Sequence, residues 1–162
     1  PEQRRVLYNK IKNDLKDMIQ SVSDFESVIQ HLSPEQRTVL YDEIKNDLKD
    51  MIKSASDFES VMHHLSPEQR TVLYDEMKDD LKDMIKSASD FVSVVGVVPL
   101  EQINDLMIDH VPRIIHGIGE FDWFIQRLSA ERLPILLYHM KDRLLTLLTQ
   151  AMLCCIGCEI YH

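Results

Sequence analysis

Residues 34–66 read PEQRTVLYDEIKNDLKDMIKSASDFESVMHHLS, and residues 67–91 begin a second copy, PEQRTVLYDEMKDDLKDMIKSASDF. An earlier copy, PEQRRVLYNKIKNDLKDMIQSVSDF, occupies residues 1–25, so the period is 33 residues. A fixed period of this size is typical of helical pairs that stack into an array. The repeat therefore predicts an all-α protein, a right-handed solenoid of about five helix-turn-helix repeats of about 33 residues.

Each copy carries a helix start signal and a helical apolar stripe. Ser33 and Ser66 precede Pro-Glu-Gln, which predicts an N-cap, a proline in the first turn and a capping box. The stripe of the first helix continues past Leu48 with helical spacing, which predicts a second helix from about Lys49 to His64. The alternative is a shorter second helix capped within residues 54–57.

Two diverged copies follow the three regular ones. Residues 101–102 align with residues 68–69, and residues 121–128 align with residues 91–98 after a contraction of three residues. Pro112 then occupies the position of Lys49 and Lys82, and since proline suits a first turn, it predicts that the second helix begins there, capped by Asp47 or Asp80. A fifth copy is indicated by residues 128–132 and 140–142, which echo residues 65–69 and 77–79.

The resulting organisation is one continuous solenoid with two parts. Residues 1–99 form three near-identical hairpin repeats, and residues 100–162 form two degenerate repeats that act as a C-terminal cap. The seam is the valine-rich stretch 94–99, in which Gly96 and Pro99 are expected to end a helix; a β-strand there is the weaker alternative. Because the chain starts at Pro1, in the middle of the motif, we expect it to be part of a longer protein.

The charge and cysteine content narrow the range of functions. The net charge is -9, and none of the repeats carries a basic excess, so nucleic acid and anionic membrane surfaces are disfavoured as partners. Three cysteines close together near the C-terminus do not make a disulfide framework, which favours a reducing compartment. The sequence shows neither a signal peptide nor an apolar run of membrane-spanning length.

Catalysis is not indicated. The acidic pairs Asp42/Glu43 and Asp79/Asp80 recur with the period, whereas a catalytic site is seldom repeated, and neighbouring positions on a helix point apart. No nucleophile elbow, phosphate loop or metalloprotease motif is present in the sequence. We therefore expect a protein that is not an enzyme and needs no cofactor.

The recurrent aromatic and charged residues have mainly structural interpretations. The aromatic positions lie on the apolar stripe and are predicted to fill the core; they are Tyr8, Tyr41, Tyr74, Phe25, Phe58 and Phe91. The alternating charges predict a solvated face, with an acidic surface for a basic partner as the alternative. His31 and His64 are repeat equivalents near a helix end, where a structural role is favoured over metal binding.

Trp123 and Phe124 depart from the repeat. Trp123 replaces Ser60 and Ser93, which belong to the polar side of the second helix, so this pair adds apolar area to the repeat. The pair is predicted either to pack on the fifth repeat or to form an exposed anchor for a protein partner.

The C-terminal cysteines allow three interpretations. Cys155 and Cys158 form a C-x-x-C that, with His162, supplies three weak metal-ligand candidates, one fewer than a closed zinc site requires. Acylation at Cys154, Cys155 or Cys158 would tether the chain to a membrane. Burial in a last helix is the favoured interpretation, since free cysteine behaves as a small hydrophobe.

The motif L-S-P-E-Q-R, followed by V-L-Y and K-x-D-L-K-D-M-I-K-S-A-x-D-F, resembles tandem helical repeats in effector proteins of intracellular Gram-negative bacteria (Legionella-type). The resemblance covers residues 1–95 well and residues 100–162 loosely. It implies secretion into the host cytoplasm and repeats that mediate contacts, and it transfers no catalytic residue; otherwise a cytoplasmic protein is expected. Tetratricopeptide and ankyrin repeats share the length, but their signature residues are missing.

These observations predict a non-catalytic helical-repeat scaffold that mediates protein–protein interaction. The expected partner is a protein. Two alternatives remain: a membrane-tethering domain that uses the cysteine-bearing last helix, and an accessory domain of a larger enzyme.

Overall fold

The computed structural model describes residues 14–115 and 118–159; some side chains lie outside this description, those of residues 109, 112, 118, 120, 143, 147, 148 and 150–159. Residues 14–18 are the described part of helix α1. The elements that follow are α2 (Val22–Ile29), α3 (Pro34–Met51), α4 (Ala55–His64), α5 (Pro67–Met84), α6 (Ala88–Val97), the 3-10 helix η1 (Leu100–Gln102), α7 (Ile103–Ile114), α8 (Ile118–Ile125) and α9 (Leu133–Glu159). The described part of the chain is all-helical and contains no strand, so the strand alternative for residues 94–99 is wrong.

The long helix of each regular repeat begins at its predicted cap. The Ser33 hydroxyl accepts a hydrogen bond from the Gln36 backbone N–H, and the Gln36 side chain accepts one from the Ser33 N–H at 3.0 Å. Ser66 and Gln69 exchange the same pair of hydrogen bonds at the start of α5. The capping box therefore satisfies two otherwise free amide groups at each start, as the sequence predicts.

The second helix begins later than the apolar stripe predicts. α3 continues through Lys49 to Met51, the backbone is extended at Ile52, and α4 starts at Ala55. The Ser54 hydroxyl accepts a hydrogen bond from the Asp57 N–H at 3.1 Å. The prediction of one helix over residues 49–64 is wrong and the shorter alternative is confirmed, because this local cap interrupts the backbone without disturbing the apolar spacing.

Pro112 does not mark a helix start. It lies within α7, two residues before the last helical residue, Ile114. Lys49 and Lys82 lie equally far from the ends of α3 and α5. The alignment of Pro112 with these lysines therefore agrees with the structure, but the position belongs to the end of the first helix, and neither Asp47 nor Asp80 caps a second one.

The valine-rich seam is helical through Gly96. α6 ends at Val97, with Val98 in an extended conformation and Pro99 next. The prediction that a helix ends within this stretch is confirmed, with the end before Pro99. Gly96 itself is helical, and the described residues contain no glycine with positive φ.

The fifth hairpin predicted from residues 128–142 is a single long helix in the described residues. α9 runs from Leu133 to Glu159 without a break. Between residues 135 and 156 the sequence contains neither glycine nor proline, and it lacks the Ser-x-x-Asp cap that starts α4 and α6. With no local signal to interrupt it, a helical segment of good helix formers continues.

The buried positions recur with the sequence period. Phe25, Phe58 and Phe91 are each fully buried at 33-residue spacing, and Leu40 and Leu73 follow the same rule. The tyrosines of this stripe are also buried, Tyr41 at 2% and Tyr74 at 3% exposure. The prediction that these aromatic residues belong to the core is confirmed, except for Tyr8, which lies outside the described residues.

The chain divides into two compact units, Pro1–Asp79 and Asp80–His162, whose boundary falls within α5. In the first unit α2 packs against α3 and α4. Two ion pairs link successive long helices there: the Lys16 Nζ lies 3.9 Å from Asp47 Oδ2, and the Lys49 Nζ lies 3.0 Å from Glu76 Oε2. In the second unit α7 packs against η1, α6 and α9, and α8 packs against α6 and α9.

No helix within the described residues combines the length and the apolar character that crossing a membrane requires.

Candidate interaction surface

Of the two residues of α8 that the sequence analysis singles out, Phe124 is buried and Trp123 is half-buried. Phe124 is fully buried, and its ring centroid lies 5.4 Å from that of Phe91 on α6. It follows that Phe124 is part of the core of the second unit, and packing, not an exposed anchor, describes its role. The anchor hypothesis is left with Trp123 alone.

Trp123 lies at the edge of this core. Its ring meets Phe124 edge to face at 5.8 Å, which covers one part of the indole. The Arg127 guanidinium lies over the indole ring, 4.1 Å from the centroid, within the range of a cation–π interaction. The indole is half-buried, so a partner can still reach it beside an exposed arginine.

The local sequence explains why α8 presents Trp123 in this way. Asp122 accepts a hydrogen bond from the Gln126 side chain at 2.8 Å, a contact between successive turns on the exposed side of the helix. Helix α8 ends at Ile125, where the Leu128 N–H bonds the Phe124 carbonyl at 3.1 Å. This turn carries Arg127 back over the indole and fixes a tryptophan–arginine pair, the two residue types that dominate binding hot spots.

The sequence analysis did not predict that arginine side chains donate hydrogen bonds to backbone carbonyls at the ends of the shorter helices. The Arg70 Nε donates to the Leu65 carbonyl at 3.1 Å, just beyond the end of α4, and Arg37 makes the same contact with Leu32. In the fourth repeat Ile103 stands at the equivalent position, 33 residues after Arg70. The contact is supplied instead by Arg132, whose guanidinium donates to the Val98 carbonyl at 2.9 Å and to the Gly96 carbonyl at 3.3 Å.

Burial shifts the pKa of three groups in the described residues. Burial lowers the pKa of Arg132, and it also lowers the pKa of His64, whose ring meets Phe25 edge to face at 6.3 Å. Burial raises the pKa of Tyr41 to about 12, with the Glu76 and Asp42 carboxylates adding to the increase. Burial is the largest cause of each of these shifts.

A second histidine was missed by the sequence analysis. His110 is buried in the second unit, with its ring centroid 6.2 Å from that of Phe91. In the register that aligns Pro112 with Lys82, His110 stands where α5 has the exposed residue Asp80. The repeat alignment therefore offers no signal that this histidine is buried.

The outer faces of the long helices are acidic. On α3 they carry Glu35, Asp42 and Asp50, all exposed, with the exposed apolar residue Val39 between them. Val72 stands at the corresponding place on α5. The ion pair between Lys49 of α3 and Glu76 of α5 joins the flanks of these two helices. The solvated-face interpretation fits this arrangement.

The cysteine hypotheses are not tested by the described side chains. Cys154, Cys155 and Cys158 fall within the helical backbone of α9, but their side chains, and the whole of His162, lie outside the description. Among the described side chains, no group of three or more His, Cys, Asp or Glu residues is arranged to hold a metal ion.

Comparison of the chain with protein-family models, with curated proteins and with solved structures found no match.

Proposed function

We propose that this chain is a non-catalytic helical-repeat scaffold that mediates protein–protein interaction. The recurrence of the same buried residues every 33 positions supports it, since such repeats spend their sequence on a common core and leave their exposed faces free for contacts. In this proposal the repeats stack as a right-handed solenoid, and the resemblance of residues 1–95 to bacterial effector repeats favours action in a host cytoplasm.

The specific contact is assigned to Trp123. The regular repeats have Ser60 and Ser93 at this position, so the indole is a feature that distinguishes the diverged repeat from its neighbours. Exposed faces that are nearly identical between two repeats are poor at discriminating partners, whereas one half-buried tryptophan beside an arginine suits a hot spot. This single observation carries the assignment.

The test is quantitative capture of host cytosolic proteins by the 162-residue chain and by its Trp123→Ala variant. Loss of a hot-spot tryptophan is expected to weaken the captured complex roughly thirtyfold. Ser60→Ala, at the corresponding position of a regular repeat, is the matched control and should leave capture unchanged. Equal capture by Trp123→Ala and wild type, with unchanged circular dichroism, would exclude Trp123 as the anchor.

A further inference from the structure

Helix α9 exposes apolar residues on one side. Tyr138 is 68% exposed and Leu145 is 65% exposed, and both lie on the same helix face because they are seven residues apart. Pro134 and Lys141, also exposed, complete the stripe at spacings of four and three residues. A 4-3 spacing of exposed side chains is the seam along which one helix packs against another.

The regular repeats are charged at these positions. Aligned through residues 140–142 and 77–79, Tyr138 stands where α3 and α5 have Asp42 and Asp75, and Leu145 stands where they have Lys49 and Lys82. Two charged positions of the regular repeat have thus become large and apolar in α9. A soluble helix does not need such side chains for its own fold when they point into solvent.

The position of Leu145 is one that contacts a neighbouring helix elsewhere in the chain. Its counterpart Lys49 extends from α3 to Glu76 of α5, 3.0 Å away. In α3 this flank faces the next long helix, and in α9 the corresponding flank is exposed among the described residues. The face of α9 is thus the helix-packing flank of the repeat, with an apolar residue in place of the charged one.

The order of residues along the stripe indicates what covers it. In an antiparallel pair of α9 helices centred between residues 141 and 142, Tyr138 meets Leu145 of the other copy, and Lys141 meets Asp142 of the other copy. Both contacts occur twice by symmetry, so the order of apolar and charged residues makes the face complementary to itself. Lys141 already lies along this face, with its Nζ 5.1 Å from the Tyr138 ring centroid.

We propose that the exposed face of α9, formed by Pro134, Tyr138, Lys141, Asp142 and Leu145, is a self-association surface that pairs two copies of this chain through an antiparallel, two-fold symmetric α9–α9 contact. One helix pair buries a small area, so the dimer is weak, with a dissociation constant roughly between 1 μM and 1 mM. This surface is separate from Trp123, and a monomeric chain would leave the proposed scaffold function untouched.

The experiment is sedimentation velocity of the full 162-residue chain over a concentration series, under reducing conditions because the chain has three cysteines. Wild type is expected to pass from monomer to dimer, and Tyr138→Glu and Leu145→Glu to stay monomeric. Val72→Glu is the matched control, since it places the same charge on an exposed apolar residue of α5 and should dimerise like wild type.

Charge reversal tests the orientation of the pair. Lys141→Asp places like charges opposite each other and should weaken the dimer roughly tenfold, and the double variant Lys141→Asp/Asp142→Lys should restore it. Carbodiimide cross-linking of the full chain should also join Lys141 to Asp142 of a second copy, so that after digestion the α9 peptide is linked to a copy of itself. The proposal is overturned if wild type stays monomeric or grows beyond a dimer, or if the dimer survives Tyr138→Glu. It is also overturned if the double reversal fails to restore association, or if only a different protein, and not a second copy, occupies this face.

Discussion

Single arginine residues hold the ends of the shorter helices in this chain. Arg37 and Arg70 act from five residues away and are therefore local, whereas Arg132 reaches the end of α6 from a distance of more than thirty residues. A charged donor that bonds two carbonyl groups stabilises a helix end more than a neutral one does. Arg132 thus replaces the arginine that the fourth repeat has lost at Ile103.

Replacing Arg132 by Ala is expected to lower the free energy of unfolding by about 1.5–3 kcal/mol, because the partly buried Val98 carbonyl and the exposed Gly96 carbonyl lose a charged donor. The stability of Arg132→Lys should lie between those of wild type and Arg132→Ala, since an ammonium group cannot reproduce the forked geometry of the guanidinium. Urea denaturation measures the effect, with the exposed Arg113→Ala as control. If Arg132→Ala and Arg113→Ala are equally stable, the hydrogen bonds from Arg132 to the Val98 and Gly96 carbonyls do not stabilise the fold.

His64 should make the first unit sensitive to acid. Burial against Phe25 lowers its pKa from 6.5, with Arg37 and His63 acting in the same direction and Glu26 opposing them. Since the unfolded chain binds a proton at higher pH than the folded one, the stability that this group contributes is present above pH 6.5 and is lost as the pH falls through its lower folded pKa.

The His64→Gln variant should therefore lose less stability than wild type between about pH 7.5 and about pH 5. Urea denaturation at the two pH values provides the measurement. His31→Gln, at the exposed repeat equivalent, is the control and should follow wild type. An unchanged pH dependence in His64→Gln would show that the partly buried His64 imidazole does not drive this sensitivity.

At the scale of the elements, the success of sequence-based prediction depended on whether the deciding signal was local. The starts of α3 and α5 followed from Ser33, Ser66 and the glutamines that complete their capping boxes. The break between α3 and α4 was misplaced because the apolar stripe keeps helical spacing across it, and only the weaker Ser54 cap marks it. The spacing of apolar residues predicts which face of a helix is buried, but it does not show where a short extended segment interrupts the helix.

Ser54→Ala tests this explanation of the break. Loss of the side-chain acceptor for the Asp57 N–H should cost about 1 kcal/mol of stability. Ser56→Ala is the matched control, because Ser56 is exposed inside the first turn of α4 and should change stability by less than about 0.5 kcal/mol. Equal effects of the two substitutions would mean that the cap does not set the helix boundary.

The long helix α9 shows the opposite case. Residues 128–142 echo the regular repeat closely enough to predict another hairpin, but the second half of the repeat is missing its cap. Similarity at the start of a repeat therefore does not guarantee its end. Because the same residues continue as one helix, Tyr138 and Leu145 become neighbours on an extended face.

At the scale of the whole molecule, the sequence identified the place where the repeat diverges but not which side chain is accessible there. Trp123 and Phe124 are adjacent in the sequence, and only the packing of Phe124 against Phe91 of α6 shows that the second belongs to the core. The Arg132 contact and the exposed face of α9 depend on three-dimensional neighbours in the same way. A repeat period fixes the recurrent core and carries no information about such departures from it.

We infer that the 33-residue repeat is the structural unit of this chain. Deletion of residues 34–66 tests it most directly, because it joins Ser33 to Pro67 and recreates the Ser66–Pro67 junction with its capping box. The shortened chain is expected to unfold cooperatively, with unchanged helicity per residue and a urea m-value lower by roughly a fifth. Deletion of residues 34–60, which removes fewer residues but leaves the register broken, should be much less stable. An in-register deletion that is no more stable than the out-of-register one, measured by urea denaturation followed by circular dichroism, would contradict the claim.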